Sequence, residues 1–135
     1  MAFSLPIVRK TDPVSDCQVD VPLLVTSARG TFGHPFRLDT GCGMTIVSEP
    51  VARAMGLDTR GRAFQSIFVL TGGGRIVPAR FRFPTDPTTG APGREVASEW
   101  LVIPLPCEYA HLGFRDVCDH FQLATDDIEM HFTER

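Results

Sequence analysis

The sequence predicts an all-β fold: a partly closed barrel with one or two short helices, forming one domain over residues 1–135. Three observations predict it. Segments 5–8, 19–26, 31–38, 44–47, 62–70, 75–83, 97–103, 121–124 and 128–132 either alternate apolar with polar residues or are rich in β-branched and aromatic side chains. Only 49–55 and 115–120 carry a helical pattern. Clusters of turn formers, at Gly41 and Gly43, at Gly72 to Gly74 and over residues 84–93, separate neighbouring runs.

Taken in order, the first strands lead to Phe36-Arg37-Leu38-Asp39-Thr40-Gly41, in which an apolar run ends on Asp-Thr-Gly and a second run, Thr45-Ile46-Val47, follows at once. Ser48 stands where a helix cap belongs, Glu49 and Pro50 suit a first turn, and Gly56 suits a C-terminal stop. Thr71-Gly72-Gly73-Gly74 lies between Ile67-Phe68-Val69-Leu70 and Arg75-Ile76-Val77, which makes it a glycine-rich hairpin tip. Residues 84–93, with three prolines and two glycines, read as a loop. The terminal strand 128–132 is expected to offer an unpaired edge that a partner chain satisfies.

Asp39 is the leading candidate for chemistry, because a carboxylate on a tight turn between two strands is held more rigidly than one on a long loop. Asp and Gly are also favoured turn residues whatever the function, so the tripeptide by itself equally describes a closed hairpin. The order of the motifs carries more weight. Strand, Asp-Thr-Gly turn, strand, short helix and Gly56-Leu57 together resemble the retropepsin-like aspartic proteases, and His111-Leu112-Gly113 resembles that family's hydrophobic-Leu-Gly segment, with histidine where an aliphatic residue is usual.

The resemblance implies an acid-protease-like β-barrel and an aspartic endopeptidase of peptide or protein substrates. Asp39 is then the catalytic residue, Thr40 and Gly41 support it, and Thr71, Gly72, Gly73 and Gly74 form the flap over bound peptide. Ile67, Val69, Ile76 and Val77 either line hydrophobic subsites beneath that flap or belong to the core. A chain of 135 residues has room for one such lobe and carries one Asp-Thr-Gly, so the second aspartate has to come from a second copy in a twofold homodimer. A non-catalytic dimerisation or peptide-binding module with the same barrel is the alternative.

Composition narrows the remaining classes. Hydrophobic residues at 43% and charged ones at 21% describe a globular chain, and no apolar run approaches the ~20 residues of a membrane span. The net charge of −3 argues against a nucleic-acid partner. The start does not read as a secretory signal, because Arg9 and Lys10 follow the apolar residues instead of preceding them; the expected location is cytoplasmic. Cys107, His111, Cys118 and His120 contain the ligand types of a zinc site, but their spacing fits no common finger. Mostly buried free thiols, no metal and no cofactor are therefore expected.

Overall fold

The apolar alternation of the sequence becomes a closed ring of strands. The computed structural model of the protein describes residues 2–9, 17–64, 73–86 and 91–135. Along the chain run β1 (Ala2–Pro6), β2 (Val8–Arg9), β3 (Cys17–Gln18), β4 (Asp20–Ser27), β5 (Gly30–Asp39), β6 (Ile46–Ser48), α1 (Glu49–Ala54), β7 (Arg62–Phe64), β8 (Gly74–Asp86), β9 (Ala91–Ile103), β10 (Ala110–Gly113), α2 (Phe114–Cys118), β11 (Phe121–Thr125) and β12 (Glu129–Glu134). The main sheet has the order β4-β5-β10-β6-β9-β8-β7, and an added β4–β8 pairing closes its first six strands into a barrel. No helix among the described residues is long and apolar enough to cross a membrane.

Each strand sends alternate residues inward. Val21, Leu23 and Val25 of β4 are buried while their neighbours face outward, as the two-residue period of a half-buried strand requires. Trp100 lies at the centre, with Phe36 at 5.2 Å and Phe81 at 5.3 Å between ring centroids. Truncating one of these rings to alanine would cost about 3–5 kcal/mol, because the barrel walls cannot collapse into the gap.

The helices form where expected, with one difference. Pro50 lies in the first turn of α1, and Gly56 ends the segment at φ +73°, a conformation cheap only for glycine. Ser48 stands at the cap position without making a side-chain cap bond. Its hydroxyl instead accepts the Tyr109 N–H at 3.1 Å, tying the start of α1 to the segment that leads into β10.

Several expectations are corrected. The segment 84–93 is not one long loop: β8 runs to Asp86 and β9 begins at Ala91, and register shifts near Pro84 let the prolines into a hairpin whose ladder they cannot fully complete. The strand β10 was not among the sequence expectations at all. The C-terminal strand is not a free edge either, since β12 lies between β1 and β11 and pairs with both. The four cysteines are free thiols but not mostly buried, with Cys17 and Cys107 exposed and Cys42 and Cys118 half-buried, because they fall on short strands, loops and a helix end instead of inward-facing barrel positions.

Candidate active site

The site is built where β5 ends. β10 lies against β5 in parallel register, with His111 opposite Arg37, Leu112 opposite Leu38 and Gly113 opposite Asp39, while its other edge pairs antiparallel with β6. This insertion brings two segments far apart in sequence to the two sides of one turn. Gly113 is required there, because a Cβ would lie 2.5 Å from the Thr45 nitrogen and collide with the Met44–Thr45 peptide.

Asp39 closes β5, and residues 40–43 turn away from it. The Gly41 N–H donates to Asp39 Oδ1 at 3.0 Å, and the Cys42 N–H reaches the Asp39 carbonyl at 3.3 Å. The turn is then fastened from below by α2, whose first N–H groups have no partners within the helix. Phe114 N–H donates to the Cys42 carbonyl at 2.7 Å and Arg115 N–H to the Gly43 carbonyl at 3.1 Å. Thr40 and Gly41 are exposed, and the Asp39 side chain keeps 36% of its surface accessible.

Beneath the turn lies a second carboxylate, fully engaged. Asp116 is buried and accepts three hydrogen bonds: Thr45 Oγ1 at 2.7 Å and Trp100 Nε1 at 2.9 Å on Oδ2, and Ser98 Oγ at 2.6 Å on Oδ1. Thr45 Oγ1 in turn accepts the Gly113 N–H at 2.9 Å. A buried carboxylate with three donors locks strands β9 and β10 and the residues that enter β6 to one another.

The neighbour that sequence reading did not assign to the site is His111. Its Nδ1 lies 3.2 Å from Asp39 Oδ2, and its ring lies flat on Tyr109, with centroids 4.0 Å apart and planes at 16°. Its position before Leu112-Gly113 was the available signal, because that segment pairs with the strand bearing Asp39. Tyr109 is pushed above its ordinary pKa by burial first, then by its electrostatic interactions with Asp39 and Cys42, with Arg37 opposing, so its hydroxyl stays protonated. His111, Tyr109 and Arg37 line one side of a surface cavity of about 520 Å³.

The remaining predicted positions divide. Gly73 has φ +103°, and Gly74 opens β8 with its Cα side facing the Val102 carbonyl, which a Cβ would approach to 2.6 Å; both glycines thus meet backbone requirements. Phe64 pairs with Gly74, so Gly74 belongs to the ladder between β7 and β8, while the expected arm Ile67-Phe68-Val69-Leu70 lies outside the described residues. Thr71 and Gly72, and with them the flap assignment, lie outside the described residues, as do Ile67 and Val69. Val77 is fully buried in the main core, and Ile76 packs with Leu101 and Ile103 in a smaller cluster. Among the described residues no three His, Cys, Asp or Glu side chains form a group that could hold a metal ion.

No family model matches the sequence, and no curated protein matches it. Solved structures do. A retropepsin-like aspartic protease from Rickettsia conorii superposes with a TM-score of 0.68 at 13% identity, over 98% of this chain and 91% of that one. The retroviral protease-like domain of Ddi1 from Leishmania major superposes with a TM-score of 0.53 at 16% identity, over 86% and 94%. The class is therefore defined at the level of architecture: the chain has the all-β, retropepsin-like fold of the acid proteases.

Proposed function

We propose that the chain is a cytoplasmic aspartic endopeptidase that works as a homodimer on peptide or protein substrates. The observation that carries this reading is the Asp39-Thr40-Gly41 turn, which ends a barrel strand with its carboxylate held by a backbone N–H and its threonine and glycine at the surface. One such turn per single-lobed chain supplies half of a two-carboxylate site.

In that reading two Asp39 side chains meet at the twofold axis. Like charges at close range repel, so the pair holds one proton between them. The ionised member takes a proton from a water between the carboxylates, and the protonated member donates to the scissile carbonyl oxygen. No covalent intermediate forms. Thr40 hydroxyls bridge the two turns, and Thr71 to Gly74 close over the substrate and exclude water.

Dilution tests the reading. Specific activity is expected to fall through the dimer dissociation range, with a bell-shaped pH profile belonging to the pair and an acidic optimum. A strictly monomeric protein that still cleaves through Asp39 would overturn it. One observation favours the second reading, a non-catalytic binding module: within one chain both Asp39 oxygens already have partners, Gly41 and His111. Asp39→Asn separates the two, because a binding module keeps its ligand and a protease loses cleavage.

A further inference from the structure

We propose that His111 is a positioning residue for Asp39, holding the carboxylate through an Nδ1–H donated to Oδ2; the inference rests on the proteolytic reading of the same site. Three features hold the imidazole where it can act. The residue sits inside β10, paired on one edge with Arg37 and on the other with Ile46, so its backbone has no freedom to slide. The ring lies flat on Tyr109, which restricts its rotation, and its side chain is 21% exposed. Oδ2 is the oxygen that the Gly41 N–H leaves free.

The consequence is one donor for each oxygen of Asp39. A carboxylate with a donor on Oδ1 alone keeps more freedom to rock about χ2, which is a broad torsion for Asp. A donor on each oxygen fixes the plane before substrate arrives, and reactions of this kind lose up to about a hundredfold when a reacting group is misplaced by 1 Å. The charged and titratable neighbours of His111 are Asp39 and Arg37 from β5, Tyr109 from its own segment, and Glu108, His34 and Asp20 along the shared cavity; β6 presents only Ile46. Two of the cavity carboxylates are engaged elsewhere, Glu108 by His34 at 2.9 Å and Asp20 by Gln18 at 3.0 Å, which leaves Asp39 as the acceptor that His111 meets.

The hydrogen bond demands one tautomer, and that gives a readout independent of turnover. In ¹⁵N-labelled protein at a pH where the ring is neutral, His111 is expected to carry its proton on Nδ1 and to revert to the Nε2–H form in Asp39→Ala. An Nε2–H ring in the wild-type protein would overturn the proposal, whether or not the chain proves to be a protease. Kinetics supply the second arm, using a fluorogenic peptide that the wild-type chain cuts. His111→Leu is expected to lower kcat by about tenfold or more with KM little changed. His111→Asn, whose amide nitrogen falls near the position of Nδ1, should restore most of the rate, whereas His111→Gln should not. A His111→Leu enzyme as fast as wild type, or rescue by glutamine and asparagine alike, would show that the ring packs without positioning. Complete absence of cleavage by the wild-type dimer defeats the proteolytic reading alone, and the tautomer still decides the pair.

Discussion

Asp39 and Asp116 sit on opposite sides of the same turn, and their surroundings differ in every respect that matters for a carboxylate. Asp116 is buried, accepts hydrogen bonds from Thr45, Trp100 and Ser98, and belongs to a closed network. Asp39 is more than a third exposed and accepts from one backbone N–H and one imidazole. A buried carboxylate that already accepts three internal hydrogen bonds can hold strands together but is closed off from a substrate. One that faces solvent with few partners contributes little to folding and keeps its capacity for chemistry. The division of labour is set by position along two barrel strands and one short helix, and the same residue type serves both ends of it.

Asp39→Asn should give the largest effect. On the proteolytic reading proposed above, cleavage is expected to fall by at least about 10³-fold, since that reading makes Asp39 both the acid and the base. The melting temperature should stay near wild type, as for most surface substitutions. A large loss of stability would make Asp39 a second structural carboxylate and erase the contrast. Asp116→Ala should do the reverse: two buried donors, Thr45 and Trp100, and the half-buried Ser98 lose their acceptor, and stability should fall by about 3 kcal/mol, roughly 10 °C in Tm. Thermal melts followed by near-ultraviolet signal from Trp100 check this, and an unchanged melt would mean the network is dispensable.

Thr45→Val sharpens the comparison further, because it removes one donor to Asp116 and the acceptor of Gly113 N–H while conserving shape. A loss of about 1–2 kcal/mol is expected in denaturant unfolding. The smallest effect concerns a third carboxylate. Asp126 is exposed and accepts from the Ile128 N–H, from His131 and from the Glu129 N–H, which together hold its carboxyl well down, from 3.8 to about 2. Its contribution is therefore complete above pH 3.8 and lost as pH falls towards 2. Acid titrations of wild type and Asp126→Asn should converge over that window, and curves that stay parallel would show that the turn owes nothing to the ionised group.

Much of the barrel was legible because its signals are local. Alternation placed Val21, Leu23 and Val25 in one face, and Pro50 and Gly56 bracketed α1, since both act through their own backbone. Three features resisted for a common reason. The strand β10 has four residues and becomes a strand only by lying between β5 and β6, about seventy positions earlier in the chain. Asp116 on a five-residue helix looks like an ordinary solvated charge until Trp100 and Thr45 are brought to it. Whether β12 is an edge or a centre is likewise a property of the sheet, not of residues 129–134. The candidate site was half legible on the same terms: Asp39, Thr40 and Gly41 share one turn, whereas His111 reaches Asp39 only through the strand register.

The pairing of β1 with β12 has a consequence for how the molecule is made. Ser4 and His131 are bonded across 127 positions, and among the described residues β1 has no strand neighbour other than β12. During synthesis residues 2–6 leave the ribosome 127 positions ahead of their partner, so at ordinary elongation rates they wait roughly 6 to 25 s for a place to dock. For that interval Phe3 and Leu5, both buried in the finished protein, remain without their final cover. Closing that sheet is a step the nascent chain cannot take until β12 has emerged.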